Sequence, residues 1–184
     1  MLLDIDFITP YYRSRDVLEE LEAAGVTVVA PEGDLRRSDL PVVTARAVQA
    51  LVTYDGPVIG DIGGDEGARV VGSLHTQLPP GSYEALMVVN PFRPGTGSPE
   101  QVAQYGRWIE QVARIKFTGL VNNANVGPLT QPDHVLEGLT QVKAAAQLLG
   151  LPVRFTAVRS DLSPALSVPD VLPMQLKMRP PWEL

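Results

Sequence analysis

Short runs of apolar residues alternate along the chain with longer segments in which apolar residues recur at helical spacing. Six runs rich in Val, Ile and Leu predict strands at residues 2–8, 26–30, 57–61, 85–90, 117–122 and 152–158. Nearly continuous apolar strands are typical of parallel sheets covered on both faces. The alternation therefore predicts an α/β fold: an open, mostly parallel sheet with helices on both faces, in three layers.

Several of the predicted helices have recognisable ends. Ser98 is a good N-cap, and Pro99 after it suits the first helical position. A second long helix is expected to open at Thr130 and to close at Gly150. Shorter helices are predicted over 42–53 and 66–78. Residues 1–159 are thus predicted to form one α/β domain, and the proline-rich segment 160–184, which shows no period, a surface tail.

Composition narrows the class of protein and of partner. The formal net charge is −6, so a basic nucleic-acid-binding face is not expected. The chain has no cysteine, which excludes disulfides, thiolate metal sites and thiol nucleophiles. It shows neither a secretion leader nor a long apolar run, so we expect a cytoplasmic protein without a membrane span.

Polar residues collect where the predicted strands end, and ligands of parallel α/β sheets bind at that edge. Asp4 and Asp6 end the first strand, Asp61 the third, and Asn90 and Asn122 the fourth and fifth. A carboxylate such as Asp61 at a strand end is typical of a Mg²⁺ site beside a phosphate. The alternatives are structural. Asp61 could cap the next helix, and the asparagines of "NNAN" could form Asx turns.

An enzyme alternative comes from the spacing of the acidic residues. In a DxD-type phosphatase Asp4 would be the nucleophile and Asp6 the acid/base, while Asp61 and Asp65 would hold Mg²⁺. This sequence matches the phosphatase pattern only in part, because that chemistry normally needs a lysine between the two motifs. No lysine precedes Lys116, so an arginine would have to replace it.

Taken together, the strand ends resemble those of the MinD/ParA/CobQ-type P-loop ATPases, in a branch of uncharacterised nucleotide-binding proteins. "LLDIDFITPYYRSRD" is similar to the second strand and first switch of that family. "VIGDIGGDEGA" is similar to its Walker B strand and second switch. "MVVNPFRPGT" and "GLVNNANVG" resemble the two following strands, and "MRPPWE" the ending of that branch.

The resemblance implies a role for each of these residues. Asp4 corresponds to a switch carboxylate near Mg²⁺, Asp6 to the one that orients the attacking water, and Asp61 to the Walker B aspartate. Asn122 corresponds to the adenine contact, with Asn90 in support. The implied activity is ATP hydrolysis by positioning and charge stabilisation, as a molecular switch. The implied partners are a second copy of the chain and an unidentified protein.

One part of the family pattern is missing. The sequence contains no G-x-x-x-x-G-K-[ST] loop, which supplies the amide cradle, the lysine and the hydroxyl that hold phosphates and Mg²⁺. Arginines such as Arg13 are the remaining source of positive charge. The family's first strand lies in the middle of its sheet, so its loss should leave two strands without a neighbour.

We therefore expect a P-loop NTPase-like fold without its first strand–loop–helix unit, and little ATP binding by these residues alone. Three explanations are open. The loop is encoded upstream of a start codon placed too late; the chain is a natural pseudo-ATPase that serves as a binding module; or another strand, such as one from a second copy, fills the gap.

Overall fold

A computed structural model of the chain describes residues 1–5, 17–30 and 45–177. These residues form two compact units, each with its own parallel sheet. The first unit comprises the described residues up to Pro79, with Val112–Arg114 and Lys177. The second comprises Pro80–Gln111 and Ile115–Leu176. The fold is therefore α/β with two sheets of parallel strands.

The first unit contains a three-stranded sheet of order β2-β1-β3, in which both neighbours run parallel to β1. Its elements are β1 (Leu2–Asp4), α1 (Leu18–Ala23), β2 (Val28–Val29), α2 (Ala45–Thr53), β3 (Ile59–Asp61) and α3 (Asp65–Ser73). Gly25 follows α1 at a φ of 79°, the left-handed conformation that ends helices and that glycine adopts without strain.

One face of this sheet carries the core of the first unit. Leu3 and Ile5 of the first strand region pack with Val29 of β2, and Val70 of α3 belongs to the same cluster of buried residues. Ala47 of α2 completes this side, so α2 and α3 cover the same face of the sheet. Because alternate residues of a strand point to opposite faces, Leu2 and Asp4 point away from this core.

The second unit contains a four-stranded sheet of order β4-β5-β6-β7, in which all pairs are parallel. Its elements are β4 (Leu86–Val89), α4 (Pro99–Ala113) as far as Gln111, β5 (Gly119–Asn122), α5 (Pro132–Leu149), β6 (Val153–Arg159) and β7 (Val171–Met174). Leu120 and Val142 are both 0% exposed and form the centre of its core with Met87, Val89 and Val102. No helix among the described residues is both long and apolar enough to cross a membrane.

All six predicted strands are present, each within or close to its expected bounds. The strands form two sheets, because within the described residues β3 pairs only with β1 and β4 pairs only with β5. Part of the proline-rich segment, for which no period predicted an element, is a strand. Its residues 171–174 form β7, which pairs with β6 although Pro173 lacks an amide proton, as an edge strand permits.

The long helices begin and end close to their predicted limits, with one correction. The N-cap of α5 is Gln131 and not Thr130. Gln131 and His134 form a capping box, in which the amide of Gln131 donates to Nδ1 of His134 at 3.0 Å. The Thr130 hydroxyl is used instead to close the preceding turn, where it donates to the carbonyl of Gly127. Gly150 ends α5 at a φ of 68°, as predicted.

Ser98 is confirmed as a cap of α4, because its Oγ accepts a hydrogen bond from the amide of Gln101 at 3.3 Å. Ser98→Ala leaves that amide without its protein acceptor. We expect a loss of about 1 kcal/mol in the free energy of unfolding, measured by urea denaturation. The control is Ser167→Ala, an exposed serine without a side-chain hydrogen bond in the described part of the chain. An equal effect of both changes would contradict the capping role.

Candidate functional site

Asp4 and Asp61 lie side by side at the carboxyl ends of neighbouring strands. The register of the parallel pair β1–β3 places Asp4 opposite Asp61, and each is the last residue of its strand. The amide of Ile5 continues the pairing by donating to the carbonyl of Asp61 at 2.8 Å. Residues in register on adjacent strands point to the same face, so the structure brings these two predicted carboxylates together.

Burial distinguishes the two carboxylates. Asp4 is 4% exposed, whereas Asp61 is half-buried. Both lie on the face of the sheet opposite the core around Leu3, the same face as Leu2 and Ile59. Ile59 is 67% exposed, although its strand pairs in parallel with β1. A buried carboxylate must be paired, hydrogen-bonded or metal-bound, and both Asp4 and Asp61 take part in such a polar interaction.

The topology places these residues at the switch point of the sheet. The sheet order is β2-β1-β3, so the chain leaves β1 towards β2 and returns past β1 to β3. The right-handed rule for parallel crossovers predicts that α1 and α2 lie on opposite faces. α3, which follows β3, packs on the same face as α2. We therefore expect α1 and α3, the helices that follow β1 and β3, on opposite faces, and ligands of open α/β sheets bind in the crevice that such a divergence creates.

The loop after β3 rules out one structural role for Asp61. α3 begins at Asp65 and its N-cap residue is Gly64, so Asp61 does not occupy the capping position. Asp6 and Arg13 lie outside the described residues, and their predicted roles stay predictions. Within the described part of the chain, no cluster of three or more histidine, cysteine or acidic residues is assembled for a metal.

A second group of predicted residues meets at the carboxyl edge of the other sheet. Asn90 follows β4, and its Nδ2 donates to the carbonyl of Asn125 at 2.9 Å. Its Oδ1 accepts from the amides of Phe92 and Asn125, both at 3.2 Å. One side chain therefore fastens the loop after β4 to the loop after β5. Asn90 thus supports the segment that follows Asn122.

Asn122 itself is enclosed in the second unit. It is 0% exposed, its Nδ2 donates to the carbonyl of Val135 at 3.2 Å, and its Oδ1 accepts from the amide of Ala124 at 3.2 Å. The bond to Ala124 is an Asx turn, and Asn125 forms another with Gly127. Contact with a base would require Asn122 to exchange these bonds, so its role at adenine stays a prediction.

Sequence reasoning missed three residues that hold this edge. Arg159, the last residue of β6, donates to the carbonyl of Pro128 at 3.2 Å and so reaches the loop after β5. Phe92 and His134 meet edge to face, with 5.7 Å between ring centroids, and join the loop after β4 to the first turn of α5. The position of Arg159 at a strand end was the only available signal. The ring contact depends on two loop conformations, which the sequence does not reveal.

Asp161 is the charged partner of Arg159 at this edge. The pair is bidentate, and this hydrogen bonding lowers the pKa of Asp161 and raises that of Arg159. A lowered carboxyl pKa stabilises the folded chain at pH values above the ordinary aspartate pKa, and this stability is lost as the pH falls through the folded-state value. Asp161 is exposed and Arg159 is half-buried, so the pair orients the Arg159 side chain more than it stabilises the fold.

Comparison of the chain with known protein families, with characterised proteins and with solved structures finds no match.

Proposed function

We propose that this chain is the switch-bearing and base-facing part of a MinD/ParA/CobQ-type ATPase, in which ATP hydrolysis acts as a molecular switch. The observation that carries the proposal is the register of Asp4 with Asp61 at the switch point of the first sheet. A switch carboxylate next to a Walker B carboxylate is the arrangement that the sequence resemblance implies for these two residues.

The edges of the two sheets also support the proposal. The family resemblance implies a missing central strand, whose loss leaves two strands that each lack a neighbour. Within the described residues, β3 has no partner on one side and neither has β4. Val88 of β4 is 61% exposed and Ile59 of β3 is 67% exposed. Such exposure is unusual on parallel strands, which are normally covered on both faces.

β4 differs from an edge strand that is built to face solvent. Edge strands of soluble proteins are usually protected by charge, proline or very short length. β2 has only two residues and β7 contains Pro173, whereas β4 is a run of four apolar residues, Leu86–Val89. The composition of β4 is therefore that of an interior strand, as the proposal requires.

The carboxylates fit Mg²⁺ by the chemistry of their donors. Mg²⁺ prefers oxygen ligands, and in phosphate sites it is held by one or two carboxylates together with water and phosphate oxygens. Asp4 and Asp61 would hold the ion, directly or through its waters, and the ion would neutralise charge on the phosphates. Asp6 is proposed to orient the attacking water, and the homodimer to form when nucleotide is bound.

The residues of this chain do not fit the triphosphate itself. The described residues at the carboxyl ends of β1 and β3 offer carboxylates and no lysine, and the sequence has no G-K-[ST] loop to add one. Binding a polyanion beside two carboxylates requires compensating positive charge. We therefore assign the phosphate cradle to a segment outside this sequence, and no ATP turnover to these residues alone.

A calorimetric titration with ATP and Mg²⁺ tests whether ATP binding needs a phosphate-binding loop that this chain lacks. For the 184-residue chain we expect no binding in the micromolar range. For a longer chain that includes a G-K-[ST] loop we expect binding that Asp61→Asn weakens at least tenfold, since about 1.4 kcal/mol of lost metal stabilisation suffices. Asp170→Asn is the control: it makes the same chemical change at an exposed residue with a φ of 54°, which asparagine tolerates.

The outcomes separate the proposal from its alternatives. Micromolar ATP binding by the 184 residues alone would show that the cradle lies within them, against the proposal. An Asp61→Asn effect no larger than that of Asp170→Asn would remove the Walker B role. Release of phosphate from a phosphomonoester by the short chain, abolished in Asp4→Asn, would favour the DxD-type phosphatase.

A further inference from the structure

The turn between α2 and β3 contains a dipeptide with its own chemistry, Asp55–Gly56. Both residues are exposed and belong to neither a helix nor a strand. Asp55 is the only aspartate in the sequence that precedes glycine, and none of the asparagines does. A glycine has no side chain to obstruct its own amide nitrogen, so this nitrogen is the most accessible backbone nucleophile for a preceding carboxyl group.

We infer that Asp55 is a site of spontaneous isomerisation to isoaspartate, and hence a substrate site for protein-isoaspartate methylation. The Gly56 nitrogen attacks the side-chain carboxyl carbon of Asp55, a carbon–nitrogen bond forms, and water leaves to give a cyclic imide. Water then adds to either carbonyl of the ring. Opening on one side restores aspartate, and opening on the other leaves the chain connected through the side-chain carbonyl, with no net change in mass or oxidation state.

The local contacts leave both reacting groups available. In the described part of the chain, the Gly56 amide donates no hydrogen bond and the Asp55 carboxylate has no ion-pair or hydrogen-bond partner. The Tyr54 ring lies 3.0 Å from the place where a Cβ on Gly56 would stand, and this ring is itself 42% exposed. The aspartates at 61 and 4 differ, because their strands fix the backbone that would have to bend towards the side chain.

The position of the turn gives the reaction a structural consequence. The carbonyl of Pro57 accepts a hydrogen bond from the backbone nitrogen of Met1 at 2.9 Å, and the amide of Ile59 donates to the carbonyl of Met1 at 2.9 Å. Isoaspartate at 55 lengthens the backbone by one methylene just before this anchor. Its formation is therefore expected to loosen the pairing of β1 with β3, on which the register of Asp4 with Asp61 depends.

Ageing of the purified chain at neutral pH and physiological temperature tests the inference. The tryptic peptide 47–69 contains Asp55 together with Asp61 and Asp65, so electron-transfer fragmentation compares the three sites within one peptide. Labelling with isoaspartate methyltransferase and tritiated S-adenosylmethionine gives an independent measure. We expect isoaspartate to accumulate at Asp55 severalfold above either other site. Asp55→Glu should lose the label, because its longer side chain would have to form a six-membered imide.

Two results would overturn the inference. One is no more isoaspartate at residue 55 than at Asp61, and the other is equal labelling of the Asp55→Glu chain. The structural consequence is measured separately, by thermal unfolding of aged samples. The aged wild-type chain should gain a transition at lower temperature that the aged Asp55→Glu chain lacks, and identical unfolding of the two would show that the turn does not anchor β1.

Discussion

Replacing Asn122 by alanine is expected to lower the free energy of unfolding of the second unit by about 2 to 4 kcal/mol. Asn122 is 0% exposed and its Oδ1 accepts from the amide of Ala124. Alanine leaves that amide buried without an acceptor and opens a cavity where the carboxamide lay. Urea denaturation followed by circular dichroism measures the loss, and hydrogen exchange locates it in the loop that follows β5.

The matched control is the next residue, Asn123→Ala. Asn123 is half-buried, and within the described residues its side chain makes no hydrogen bond. Its removal should change stability by no more than about 0.5 kcal/mol. Equal effects at the two asparagines would contradict the interior role of Asn122. Equal effects would favour the adenine contact that the family resemblance implies as the role of Asn122.

The second large effect is expected at Gly138, where α5 lies close to the loop after β5. A Cβ added at Gly138 would lie 2.1 Å from the Cβ of Ala124 and 3.4 Å from Oδ1 of Asn122. Helix propensity alone favours alanine over glycine by about 1 kcal/mol. The clash should outweigh this gain, because the backbone of the loop has to move. Gly138→Ala is thus expected to destabilise the chain by about 1 to 3 kcal/mol.

Gly106→Ala in α4 distinguishes the effect of a packing clash from the effect of helix propensity. A Cβ there would meet Sδ of Met87 at 3.2 Å and a methyl of Leu149 at 3.4 Å, both at the ends of flexible side chains. These can yield, so the propensity gain should remain and stability should stay equal or rise by up to about 1 kcal/mol. A Gly138→Ala chain as stable as the Gly106→Ala chain would mean that the contact with Ala124 is not close-packed.

Much of the fold was predictable because its strands are short, apolar and separated by helices with clear ends. Ser98 and Gly150 mark their helix ends for reasons that are local to the sequence, and local rules found them. β7 was missed because Pro169 and Pro173 break every periodic pattern there, and its pairing depends on the neighbouring β6. The division into two sheets reflects pairing between distant segments, which apolar patterns do not specify.

The candidate site also has a part that was predictable from the sequence and a part that was not. Asp4 and Asp61 were predictable, since the ends of parallel strands meet at one edge and their register needs only adjacent strands. The enclosure of Asn122 was not, because it depends on Gly138 lying sixteen residues further along the chain and on the close approach that a missing Cβ allows. A polar residue at a strand end looks the same in sequence whether it faces a ligand or the interior.

The most direct test of the central claim is the nucleotide sequence upstream of the codon for Met1. The proposed function needs a strand, a phosphate-binding loop and a helix that these residues do not supply. We predict an open reading frame, continuous with this one, that encodes an apolar strand followed by G-x-x-x-x-G-K-[ST]. An in-frame stop codon directly before Met1, with no such loop encoded, would contradict the account.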